Sequence, residues 1–176
     1  MPVLLAHGAS GSPASMAPWV DGLRDRGVAG VAVRLPRGAA ERAIVPFATQ
    51  VPDEPGAVIG GRSFGGRVAT MLAAGLGAAP QRKHGFAGVV AMSYPLHRPG
   101  RPDPSLARTD HWPSIGVPVL LLSGDRDPFA RIDLLRLAVP RLRGGRLVVY
   151  PGLGHDLNVV REAALDEIAA FVKSLG

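Results

Sequence analysis

Six short stretches of this chain, 3–6, 28–35, 57–59, 88–92, 117–122 and 146–150, are apolar almost without a break. A strand with one face in water alternates apolar and polar residues, whereas a strand covered on both faces reads as a continuous apolar run. The segments between the runs carry helical patterns at 14–26, 64–76, 128–139 and 156–175, with weaker ones at 39–49 and 105–114. In the last strong pattern, Leu157, Val160, Ala164, Leu165, Ile168 and Phe171 fall on one stripe of a 3.6-residue period. Strand, helix and strand in repetition predict an α/β fold: about six parallel strands with helices on both faces. No internal repeat or linker interrupts the pattern, so residues 1–176 read as a single domain.

Composition excludes several chemistries. There is no cysteine, hence no thiol nucleophile, disulfide or cysteine-ligated metal. The histidines make no metal-ligand spacing with nearby carboxylates, so neither metal nor cofactor is expected. The net charge is +6, but the arginines are scattered from Arg24 to Arg161, with no dense run and no interleaved aromatic platform. Nucleic acid is therefore not an expected partner. No run approaches the ~18 apolar residues of a membrane span. The opening apolar run has no basic leader of a secretory signal, so the expected compartment is the cytoplasm.

In a parallel sheet, function gathers in the loops after the carboxyl ends of the strands. After the third apolar run comes Gly61-Arg62-Ser63-Phe64-Gly65, a G-x-S-x-G between a strand and a helix. Such a turn holds a serine in a strained conformation with its hydroxyl exposed, and glycines two residues to either side avoid collision. A Gly-rich turn with an incidental serine is the competing reading. Serine also needs a base, and the base an orienting acid. Asp127 follows the fifth run and His155 the sixth, so Ser63, Asp127 and His155 appear in that order with spacings of 64 and 28 residues. Asp125 is a rival acid; Asp127 is preferred because Gly124 should close the turn and aim the third residue after it back over the sheet. Asp127 precedes Pro128 and would also suit the N-cap of the helix expected at 128–139. His7-Gly8-Ala9, after the first run, suits an oxyanion hole in which the backbone N–H of Ala9 joins that of Phe64. His7 itself would fix the loop. Tyr94 and His97, after the fourth run, either line a substrate site or pack their loop, the latter being the default; Arg62, beside the serine, could meet a substrate carboxylate, but a salt bridge on the sheet face is its expected use.

The set His7-Gly8, Gly61-x-Ser63-x-Gly65, Gly124-x-x-Asp127 and Gly154-His155 resembles the α/β-hydrolase superfamily across essentially the whole chain. His7-Gly8-Ala9-Ser10-Gly11, the serine motif through Arg67, and Ser93-Tyr94-Pro95-Leu96-His97 resemble a narrower branch. That branch is related to dienelactone hydrolases and includes testis-expressed hydrolase-like proteins and a subunit of a histone acetyltransferase complex. The resemblance implies a minimal α/β-hydrolase fold and a serine hydrolase acting on a small acyl ester or thioester. The same branch has non-enzymatic members, so an interaction or scaffold protein with a vestigial site is the alternative. Two departures stand out. The superfamily usually has two or more strands before the His-Gly loop, and dienelactone hydrolases proper use cysteine as nucleophile. With its usual first strands missing, the sheet should expose the 28–35 strand as an edge, where Arg34 and Pro36 would discourage strand addition and favour a monomer. The Pro-rich stretch before the fifth strand leaves no room for a lid domain.

Overall fold

A computed structural model describes residues 1–78 and 83–176. The apolar runs become β1 (Val3–Ala6), β2 (Gly30–Val33), β3 (Val58–Arg62), β4 (Gly88–Met92), β5 (Val119–Gly124) and β6 (Gly145–Tyr150). All pairings are parallel, in the order β2-β1-β3-β4-β5-β6. Successive side chains of a strand point to opposite faces. Leu4, Ala6, Ile59, Val89, Ala91 and Leu121 therefore pack on one face, against helices α2 (Ala40–Ala48), α3 (Phe64–Ala73) and α4 (Ile132–Ala138). Val3, Leu5, Val58, Val90, Leu120 and Leu122 pack on the other, against α1 (Ala17–Asp25) and α5 (Arg161–Lys173). Both faces are covered, which is why the runs lack polar alternation.

β2 is an edge strand, as the sequence led us to expect. Just past it, the chain is held by a residue the sequence did not single out. The Gln50 side-chain amide donates to Arg34 O at 2.7 Å and accepts from Arg34 N at 3.1 Å, pairing backbone groups that lie just past the strand.

Three helical segments differ from expectation. The 105–114 segment forms only two short 3₁₀ turns, Ala107–Thr109 and Trp112–Ser114. The connection from β4 to β5 thus carries no α-helix, and among the described residues no lid covers the carboxyl end of the sheet. The helix expected from residue 128 starts at Ile132, because Asp127 closes a tight turn of its own. Its carboxylate accepts from Phe129 N at 2.8 Å, and its carbonyl from Ala130 N at 3.1 Å. Asp127 is therefore not the N-cap of α4. The last helix begins at Arg161, after a turn in which Asp156 accepts from Asn158 N at 2.9 Å.

The 93–118 connection is tied to α3 by His111. Its Nε2–H donates to Thr70 Oγ1 at 2.9 Å, while the Thr70 hydroxyl donates to Arg67 O at 2.8 Å. Burial, and secondarily the Arg67 charge, push His111 from its ordinary value of 6.5 down to about 4. A folded-state value below the unfolded one means that the unfolded chain binds the proton first. The stabilisation is complete above pH 6.5 and is lost as pH falls toward 4. Allowing for solvent screening of a half-buried ring, wild type should lose about 1–2 kcal/mol between pH 7.5 and 5 that His111→Gln does not lose. Urea unfolding at the two pH values measures this; equal losses in both proteins would refute it.

Candidate active site

The turn from β3 into α3 places Ser63 at φ 52°, ψ −114°. Non-glycine residues rarely adopt a positive φ, and holding one there costs about 1–3 kcal/mol. The surroundings enforce it: Ser63 N donates to Met92 O at 2.7 Å, and Arg67 N donates to Ser63 O at 3.0 Å. A Cβ on Gly61 would lie 2.3 Å from Ala6 O, and one on Gly65 2.4 Å from the same atom. The two glycines let the end of β1 press against the turn, which brings the following His7-Gly8-Ala9 loop beside Ser63.

His7 is buried and pins that loop. Its Nδ1–H donates to Gly8 O at 2.8 Å, and Nε2 accepts from Leu35 N at 3.1 Å. Ala9 and Phe64 line one cavity with Ser63. Among the described residues, no acceptor meets the backbone N–H of Ala9 or of Phe64. These two donors, the second at the amino end of α3, are available to an oxygen that gains negative charge.

The loops after β5 and β6 meet above the same edge. Asp125 Oδ1 accepts from Gly152 N at 2.7 Å, and Arg126 N donates to Leu153 O at 2.9 Å. Asp125 thus anchors the loop that carries His155, while Asp127 faces the histidine. Asp127 is buried, with Oδ1 and Oδ2 at 2.9 and 2.8 Å from His155 Nδ1. His155 Nε2 lies 2.9 Å from Ser63 Oγ. An ionised carboxylate only accepts, so the imidazole carries its proton on Nδ1 and Nε2 accepts from the serine hydroxyl. Phe129 packs on the imidazole, with ring centroids 4.4 Å apart.

Two of the residues considered for the substrate site hold neighbouring segments in place, although His97 also lines a cavity with Arg67, Arg98, Arg101 and Arg108. Tyr94 is buried edge-on against Trp112, and its hydroxyl donates to Arg108 O at 2.7 Å. Burial pushes this phenol up to about 12, so it stays protonated. His97 is buried with both ring nitrogens engaged: Nδ1–H donates to Arg98 O at 2.8 Å and Nε2 accepts from Arg131 N at 2.9 Å. It staples loops much as His7 does. Arg62 stands at the rim of the His155 side of the site and faces Asp156 at 3.6 Å. Sequence reading missed Phe129, Arg67, Arg98 and Arg108, all of which line the cavity at Ser63. Arg67 had a legible signal, since it lies one helical turn after the serine. Among the described residues, no group of three His, Cys, Asp or Glu side chains could hold a metal ion. No helix among them is long and apolar enough to cross a membrane.

A parallel sheet with a strained serine turn after β3, an acid after β5 and a histidine after β6 defines the α/β-hydrolase class. The family model described as the alpha/beta hydrolase domain matches residues 37–171, and the chain belongs to that family. No curated protein sequence matches it. Among solved structures it is similar to the monoacylglycerol lipase of Paleococcus ferrophilus, with a TM-score of 0.81 at 18% identity over 99% of this chain and 95% of that one. It is also similar to esterase 2 of Thermogutta terrifontis phosphonylated by sarin (TM-score 0.79, 15% identity, 99% and 84% of the chains). A third is the dienelactone hydrolase of Anabaena variabilis (TM-score 0.74, 22% identity, 98% and 85%).

Proposed function

We propose that this protein is a serine hydrolase that cleaves a small acyl ester or thioester. The observation that carries the proposal is the unbroken hydrogen-bonded line from Ser63 Oγ through His155 to the buried Asp127 carboxylate. Ser63 Oγ attacks the acyl carbon while its proton passes to His155 Nε2. The imidazolium is held by Asp127, and the oxyanion is received by the N–H groups of Ala9 and Phe64. His155 then gives its proton to the departing alcohol or thiol, leaving an acyl group on Ser63. A water that loses its proton to His155 attacks this acyl-enzyme, and the proton returns to Ser63 as the acid leaves. No cofactor enters the cycle.

The similarity to a lipase, an esterase and a dienelactone hydrolase supports ester cleavage, and the phosphonylated esterase suggests the test. A fluorophosphonate probe should label the native protein once, on the peptide containing Ser63, and heat-unfolded protein should not react. Mass spectrometry of the labelled digest reads the result. An unlabelled Ser63 in folded protein would favour the vestigial interaction protein instead.

A further inference from the structure

The site has two sides, and His155 belongs to only one of them. A cavity of about 400 Å³ is lined by His155, Ser63, Arg62 and the Gly8–Gly11 loop. A second cavity, about 240 Å³, shares Ser63, Ala9 and Phe129 with the first but is not lined by His155; its walls are Phe64, Pro95 and Pro99, and then Arg67, Arg98 and Arg108. Those three arginines also line a further cavity of about 370 Å³, together with Arg101 and a single carboxylate, Asp103. If Ser63 acts as proposed above, the leaving group takes its proton from His155 and must depart on the His155 side. The acyl chain then runs the other way, past the apolar walls and into the arginines.

The arginines there are poorly neutralised. Arg67 reaches Glu41 at 3.3 Å, yet its Nε is buried without a hydrogen-bond partner. Arg108 Nη1 donates to two backbone carbonyls, Pro95 O at 2.8 Å and His97 O at 3.3 Å. Arg98 and Arg101 form no ion pair among the described residues. Asp103 is turned to its own chain, where Oδ1 accepts from Ser105 N and Oγ. Burial lowers the Arg108 guanidinium, and the charges of Arg67 and Arg98 lower it further, with Tyr94 and the Asp103 carboxylate opposing them only in part. A bound oxyanion would relieve that crowding and find fork-shaped donors suited to it.

We infer that the acyl group of the substrate ends in an anion, a carboxylate or a phosphate-type group, seated between Arg67, Arg98, Arg101 and Arg108 at the far end of the acyl cavity. This assignment rests on the serine-hydrolase reading. An ester of that class is a half-ester of a dicarboxylic acid or its phosphonate-ended counterpart.

Three 4-nitrophenyl esters of equal chain length test it: the half-ester of adipic acid, the same ester with its far carboxyl methylated, and one ending in a phosphonate. The anionic esters should exceed the methylated one in kcat/KM by at least about tenfold, as charge-assisted hydrogen bonds warrant. The preference should shrink as ionic strength rises from about 0.1 to 1 M. Arg98→Gln/Arg101→Gln should erase most of it. The ranking of carboxylate against phosphonate identifies the anion. Turnover of the methylated ester as fast as both anionic ones, or an unchanged preference in the double variant, would overturn the inference while leaving the hydrolase standing. If folded protein hydrolyses none of the esters and Ser63 takes no probe, the hydrolase reading itself has failed. Binding then decides the anion site on its own: adipate or 5-phosphonopentanoate should raise the wild-type Tm and leave that of Arg98→Gln/Arg101→Gln unmoved, and equal shifts in both would count against the site.

Discussion

Ser63→Ala should lower kcat for ester hydrolysis by about 10⁴- to 10⁶-fold and leave the folded protein intact. The size of the loss follows from the division of labour in the site. On the proposed mechanism, removing Oγ abolishes the nucleophile and leaves His155 Nε2 and Asp127 with nothing to activate, so the three would act as a unit. What survives is the background provided by the N–H groups of Ala9 and Phe64 and by the cavity walls, which still bind the substrate. KM should therefore move much less than kcat. The backbone strain at Ser63 is the same for alanine, since it is imposed by the approach of β1 and by the bonds to Met92 and Arg67, none of which involves Oγ. A thermal melt within a few degrees of wild type serves as the control. Hydrolysis by the alanine variant at the wild-type rate, with purity matched, would dismiss Ser63 as nucleophile.

The parts of this molecule that were legible in its sequence are those determined by local rules. Continuous apolar runs marked strands covered on both faces, and glycines around Ser63 marked a close approach. Legibility stopped where one residue's conformation depends on another far away in the chain. The third apolar run ends at Ile59, yet β3 continues through Gly60 and Gly61 to Arg62. Glycine is disfavoured in strands, and here Gly60 makes room for Val90 and Gly61 for Ala6, contacts that no local pattern reveals. By sequence Asp127 suits a helix cap as well as the orienting acid, because Pro128 follows it. The requirement to face His155 and hold Phe129 N instead delays α4 by four residues.

Charge was the least legible property. Arg67, Arg98, Arg101 and Arg108 sit on three separate stretches of sequence and look like background in an arginine-rich chain. The fold gathers them because the helix that leaves Ser63 and the connection that leaves β4 meet over the same sheet edge. Tyr94 illustrates the converse. It follows a strand at the functional edge, but the bulky ring turns under the connection to pack on Trp112, where apolar burial outweighs access to the site.

Asp127→Asn should lower kcat by about 10⁴-fold, whereas Asp125→Asn should change it by less than about tenfold. The contrast rests on how many oxygens each position needs. Asp127 uses both: Oδ1 accepts from Phe129 N, and Oδ1 and Oδ2 together face His155 Nδ1. Asparagine supplies one oxygen. The Phe129 N–H keeps that oxygen in the turn, so the amide NH₂ is left facing the imidazole. Nδ1 must then accept, the proton moves to Nε2, and the ring can no longer take the proton of Ser63. A factor of 10⁴ corresponds to about 5 kcal/mol of lost transition-state stabilisation, far more than a single neutral hydrogen bond contributes. The turn itself survives, since the bond to Phe129 N is kept, and the Tm should stay near that of wild type. Asp125 needs only one acceptor, for Gly152 N, and asparagine still provides it. Steady-state kinetics of the two variants, with matched melts, decide between them. A larger loss for Asp125→Asn would move the orienting acid to the loop anchor and undo this assignment, because the Asp125 contacts reach the His155 loop through backbone groups of Tyr150 and Gly152.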